Sequence, residues 1–95
     1  MSRHWISDRA KKDLLEIAFY IKLTNPEAAK KTTAVLHSRI NLIRYLPDLG
    51  REREELQSGL RSFAVLSYVI FYRKKEDDIV VVRIISGARD LSSIF

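Results

Sequence analysis

The stretch Gly59–Asp90, GLRSFAVLSYVIFYRKKEDDIVVVRIISGARD, decides the fold. Two runs within it, Tyr68–Arg73 and Ile79–Ile85, are rich in β-branched and aromatic residues, which suit a pleated, half-buried surface. Lys74–Asp78 between them is polar and lacks the Asn-Gly signal, so it reads as a hairpin turn of open type. In the first run Tyr68, Ile70 and Tyr72 alternate with Val69, Phe71 and Arg73. Both sets are mostly apolar, so partial cover on both faces of the sheet is expected. The second run is broken only by Arg83, and its apolar continuity makes it the expected central strand. Leu60–Ala64 reads as a further short strand, and Ser86-Gly87-Ala88 closes the last one. Arg61, Arg73, Arg83 and Arg89 fall at the rims of this sheet, which suits an anionic or acidic partner.

Upstream the period changes from two to 3.6. Ser7 and Asp8 offer oxygen acceptors to the free N–H groups of a first helical turn. Ala10, Leu14, Ile17 and Ile21 then mark one helical face, ending near Leu23, with Asp13 and Glu16 read as lying off it. Asn25-Pro26-Glu27 is a second start signal, with a cap, a proline at the first position and an acid at the positive end of the dipole. Ala29, Leu36, Ile40 and Ile43 continue a stripe that Pro47 ends, with Asp48-Leu49-Gly50 as exit turn. His4–Ile6 reads as a first strand. The order β-α-α-β-β-β predicts an α+β domain. Its two helices form an antiparallel hairpin whose stripes must be buried on a small, mainly antiparallel sheet.

The chain is 95 residues long and reads as a single domain, 1–95. A chain of this size buries about 60–65% of its unfolded surface, enough for one core. It has no cysteine, so disulfides and thiolate metal sites are excluded. No apolar run approaches the ~18 residues of a membrane span, and the N-terminal sequence lacks the basic-then-apolar order of a signal peptide. A soluble cytoplasmic protein with no membrane partner is expected. The net charge is +5 and the pI near 9.7. A solvated lysine excess explains that ordinarily, and no block of five or six like charges marks a nucleic-acid tail.

Catalytic chemistry is sparse. His4 and His37 are the two histidines, neither at ligand spacing from another, so no metal or cofactor site is expected. Glu54-Glu55 and Asp77-Asp78 are paired carboxylates in predicted loops, where solvated charge is the ordinary explanation. Arg83 interrupts an apolar strand, and a guanidinium cannot deprotonate, so it must be paired or reach the rim. Asp90 and Glu55 are the carboxylates considered for it. Arg61 and Arg89 lie near strand ends, where a rigid scaffold often presents binding groups. Tyr68 and Tyr72 share a face on which a base could stack.

Taken in order, the residues resemble the ParE branch of the RelE/ParE superfamily of bacterial toxins from toxin–antitoxin pairs. The matching words are Asp13-Leu14-x-Glu16-Ile17 with Tyr20-Ile21, Asn25-Pro26-x-x-Ala29, Leu46-Pro47-x-x-Gly50-Arg51 and Glu55-Leu56-x-x-Gly59-Leu60-Arg61. Tyr68-Val69-Ile70-Phe71-Tyr72-Arg73 and Val82-Arg83-Ile84-x-x-Gly87-Ala88-Arg89-Asp90-Leu91 complete them. The resemblance implies a helical hairpin on a curved sheet and a cognate antitoxin that wraps and neutralises the toxin.

RNA-cutting members of the superfamily carry a lysine-rich strand, a strand-opening arginine and a C-terminal tyrosine. Here the strand Leu60–Ala64 has only Arg61, the strand-opening position is Val69, and the terminal position is Phe95. Arg89 alone survives, so no catalytic residue is expected. The resemblance implies instead a toxin that poisons DNA gyrase, meeting nucleic acid only through the target complex. Arg61, Arg83 and Arg89 are the expected target-binding residues, and Tyr68, Ile70 and Tyr72 the expected antitoxin-binding ones. The apolar excess of Tyr68–Phe71 and Ile79–Ile85 predicts a groove between hairpin and sheet for an amphipathic antitoxin segment. A ribosome-dependent endoribonuclease with a rearranged site, and a non-toxic antitoxin-binding module, are the alternatives.

Overall fold

The computed structural model describes residues 5–95. Helix α1 spans Asp8–Lys22 and α2 spans Pro26–Tyr45; strands β1 (Arg51–Glu52), β2 (Leu60–Val65), β3 (Tyr68–Lys75) and β4 (Asp78–Ser86) follow, then a 3-10 turn at Leu91–Ser93. The strands form one antiparallel sheet in the order β1-β2-β3-β4. The helices start where their caps dictate. Ser7 Oγ accepts from Ala10 N and Asn25 Oδ1 from Ala28 N, both at 3.1 Å, and each such cap contributes about 1 kcal/mol.

The predicted strand at residues 4–6 is here one parallel bridge, Ile6 to Val81. Ser7 N donates to Val81 O and Val81 N donates to Trp5 O. His4, the first residue of that expected strand, lies outside the described residues.

Two expectations about the sheet change. β1 was not foreseen, because a two-residue edge strand leaves no periodicity to read. And β4 is not central: β3 lies between β2 and β4, and the outer edge of β4 carries the Ile6 bridge. The apolar continuity of β4 has another cause, cover on both faces rather than neighbours on both edges. On one face Ile79, Val81 and Ile84 join Ile70, Tyr72 and the helix residues Ala10, Leu14, Leu36, Ile40 and Ile43 in the main core. On the other, Leu60, Phe71 and Ile85 form a second cluster, covered by Leu56 and by the chain's last residues, Leu91, Ile94 and Phe95. The Phe71 and Phe95 ring centroids are 4.8 Å apart.

Val81 and Ile84 face the same core although three residues apart, which a regular strand forbids. A bulge explains it. Phe71 pairs with Arg83 but Tyr72 pairs with Val81, leaving Val82 as the extra residue. The bulge changes the phase of β4 at the position of Arg83.

Gly50 ends the link from α2 to the sheet. Its N–H donates to Tyr72 Oη at 2.8 Å, and Tyr72 Oη donates to Pro47 O at 2.7 Å. A Cβ on Gly50 would lie 2.4 Å from that hydroxyl, so the approach requires glycine. Tyr72 is fully buried, and burial raises its hydroxyl pKa above the ordinary value.

Candidate functional site

The rim arginines have separate fates. Arg83 does not bridge Asp90 or Glu55. Its Nε and Nη2 donate to Asp13 Oδ2 and Oδ1 at 2.9 and 3.2 Å, and Ile84 N donates to the same carboxylate at 2.9 Å. Asp13 is buried on α1, three residues after Ala10 and four before Ile17, within the core stripe and not off it. Arg9 lies 3.5 Å from it, one turn earlier on the same helix. Arg83 is therefore a clamp between α1 and β4. The sequence signal was present: a lone arginine on a buried strand, and a lone carboxylate in a buried helical stripe.

Arg61 is also tied down. Nη1 donates to Gly50 O at 2.7 Å and Asp48 O at 3.3 Å, and Nη2 lies 3.3 Å from Glu52. It fastens β2 to the exit of α2. Arg89 differs. Its side chain is exposed and has no hydrogen-bond or ion-pair partner among the described residues. It lines a cavity of about 270 Å³ shared with Tyr20 and Tyr68.

Ile70 and Tyr72, expected at an antitoxin interface, are fully buried under the helices, and Tyr72 is on hand for no base. Tyr68 is half-buried and reaches the cavity beside Arg89. Three of the four paired carboxylates are engaged rather than merely solvated, while Asp77 is exposed. Asp78 accepts from Arg44 Nε and Nη2 at 2.9 and 2.7 Å, Glu55 accepts from Arg53, and Glu54 accepts from Gly59 N.

The open apolar surface is not between hairpin and sheet, because both sheet faces are already used. It runs along the hairpin itself. α1 and its C-cap carry a second apolar row, Leu15, Phe19 and Leu23 at spacings of four, exposed at 72, 65 and 67%. A groove of about 720 Å³ lies between the helices, floored by Leu14 and Ile40 and edged by Lys11, His37 and Arg44. Leu15 continues it into a second hollow of about 360 Å³ beside Phe19, Lys22 and Lys30. Arg44 closes one end, its guanidinium 3.7 Å from the Trp5 ring centroid. The hydrogen bond from Arg44 holds the Asp78 carboxyl below the usual carboxylate range. An apolar floor with cationic edges is chemically suited to an amphipathic segment bearing acidic residues. The spacing of Leu15, Phe19 and Leu23 was readable, but the stronger core stripe masked it.

Among the described residues no group of three or more His, Cys, Asp or Glu could hold a metal ion. No helix among the described residues is long and apolar enough to cross a membrane.

The structure is thus a small α+β domain, a helical hairpin on a four-stranded antiparallel sheet, with an apolar groove open along the hairpin. Residues 6–91 match the family described as the ParE toxin of the type II toxin–antitoxin system parDE, and the chain belongs to that family. It is similar to Toxin ParE3 of Caulobacter vibrioides, 40% identical over 47 residues, which is 50% of this chain and 47% of that protein. The match thus spans about half the length of that curated relative. Among solved structures, a chain from the chromosomal ParDE system of P. aeruginosa covers 88% of this chain and 98% of its own length with a TM-score of 0.75. At 20% identity that likeness establishes the fold.

Proposed function

We propose that this chain is a toxin that arrests growth by inhibiting DNA gyrase, and that a cognate antitoxin neutralises it by laying an acidic amphipathic segment in the groove between α1 and α2. The observation that carries a binding mode of action is the fate of two positions. Val69 and Phe95, where RNA-cutting relatives place arginine and tyrosine, pack into the apolar cluster on the outer face of the sheet. Neither supplies an acid, a base or a phosphate contact. Of the three arginines expected to bind the target, Arg61 and Arg83 are consumed by internal contacts, so Arg89 is the one left to meet it. The antitoxin reading rests on the exposed row Leu15, Phe19 and Leu23 and on the lysines around it.

Two assays on one preparation test this. The purified chain should block supercoiling by gyrase and leave messenger RNA intact on translating ribosomes. Cuts in the ribosomal A site with unimpaired supercoiling would replace this reading by the endoribonuclease one.

A further inference from the structure

The cavity beside Arg89 is used by neither the core nor the hairpin groove. Three elements build it. α1 contributes Glu16 and Tyr20, the β2–β3 turn contributes Ser67 with Tyr68 beside it, and the end of β4 contributes Ser86 with Arg89 beyond. The last segment is held by its backbone: Gly87 N donates to Ser67 O at 2.9 Å and Arg89 N donates to Ser86 O at 3.1 Å. Arg89 is thus presented on a fixed turn, not on a loose tail. Asp13 at the cavity floor is neutralised by Arg83, so the charges an incoming ligand meets are Arg89 and Glu16. Tyr20 is 75% exposed, an aromatic ring left largely open among the described residues.

The geometry points to a binding site for one unpaired nucleotide, its base against Tyr20 and Tyr68 and its phosphate on Arg89. The cavity holds about 270 Å³, which admits a single nucleoside and excludes a duplex. Aromatic faces stack any base, and a guanidinium takes a phosphate bidentately. The serine hydroxyls can meet sugar or phosphate oxygens. Glu16 adds selectivity. Its carboxylate repels a second phosphate and accepts from an exocyclic amine, so cytosine should be preferred to thymine. An acidic peptide would satisfy Arg89 but not the two rings, and Glu16 would repel it. The inference goes beyond gyrase inhibition, and its test contains no gyrase.

The test is fluorescence anisotropy of labelled (dC)8 and (dT)8 with the purified chain over a range of salt. Arg89→Ala should weaken (dC)8 binding roughly tenfold and lower the salt slope by about 0.7, one single-strand phosphate contact. Arg51→Ala, an exposed arginine on β1 far along the sheet, removes the same charge and should change binding less than twofold. Tyr20→Ala should cost fivefold or more, while Tyr20→Phe keeps the ring and the affinity. (dC)8 should bind more tightly than (dT)8, and Glu16→Ala should erase the difference. All four positions are exposed, and unchanged thermal unfolding checks that the variants fold. Equal losses for Arg89→Ala and Arg51→Ala would mean only a diffuse basic field and would overturn the site. So would no effect of Tyr20→Ala, no binding at low salt, or an acidic octapeptide binding with the same Arg89 dependence.

Discussion

The outer face of the sheet and the outer face of the hairpin meet the same difficulty and resolve it differently. Each presents large apolar side chains to water. Leu60, Phe71 and Ile85 on the sheet are covered by the chain's own Leu91, Ile94 and Phe95. Leu15, Phe19 and Leu23, along α1 and its C-cap, stay largely exposed among the described residues. A small domain can keep such a row exposed only at the risk of association, which is why the proposed antitoxin site lies there. What distinguishes the faces is not composition but whether a described segment folds back over them.

The largest expected effect comes from loosening the helix that carries the open row. Asp13→Ala leaves the Arg83 guanidinium and the Ile84 N–H without their acceptor. Breaking a buried pair costs roughly 3–5 kcal/mol, and at about 4–8 °C per kcal/mol for a domain this size the melting temperature should fall by more than ~10 °C. Asp13→Asn keeps an oxygen for Ile84 and should fall less. A melting temperature within ~2 °C of the parent for Asp13→Ala would show that α1 is held by its apolar stripe alone.

Next is the covered face. Phe95→Ala removes a half-buried ring from Phe71, and about 1–2 kcal/mol should be lost, below the ~3–5 of a fully buried Phe. Thermal unfolding and binding of a hydrophobic dye report it together. An unchanged melting temperature would mean that the C-terminal segment is not a structural cover, and the contrast between the two faces would fail.

The uncovered face should behave oppositely. Leu15→Ser with Phe19→Ser should shift stability by no more than about 0.5 kcal/mol per site, because both side chains are already in water. The same pair should abolish protection by the antitoxin when the two are co-expressed, read as growth arrest that the antitoxin no longer relieves. Retained protection would move the antitoxin elsewhere.

The smallest effect is at the end of the groove. The folded pKa of Asp78 is lowered, chiefly by the hydrogen bond from Arg44. A depressed carboxyl stabilises the fold above its unfolded value near ~3.9 and loses that contribution as pH falls through the folded pKa. The side chain is 40% exposed, so the amount should stay below about 1 kcal/mol. Melting curves of the parent and Asp78→Asn should differ slightly at pH 7 and converge under acid. A gap that persists at low pH would assign the effect to something other than the ion pair.

The helices were legible almost to the residue, because their starts are written in capping groups and their buried faces in one uninterrupted stripe. β2 to β4 were legible from alternation and turn chemistry. β4's place in the sheet was not, because apolar continuity reports cover on two faces and is silent about edges. The bulge at Val82 was hidden for a related reason: in Val80-Val81-Val82 every neighbour has the same character, so a change of phase leaves no trace. Of the expected site residues, Arg89 and Tyr68 stand open to a partner, while Ile70, Tyr72, Arg61 and Arg83 serve the fold. Sequence order named the reactive types but could not tell a free guanidinium from one paired 70 residues away.

The tie between Asp13 and Arg83, with the bridge from Ile6 to Val81, sets a schedule for biosynthesis. β2, β3 and β4 join by short local turns and can pair in order as they emerge, whereas α1 must wait for contacts made late in the chain. A nascent chain halted before Asp78 can pack α1 on α2 but lacks the Asp13–Arg83 clamp that fixes it to the sheet. The hairpin's open face is thus clamped onto the sheet only after nearly the whole message has been read.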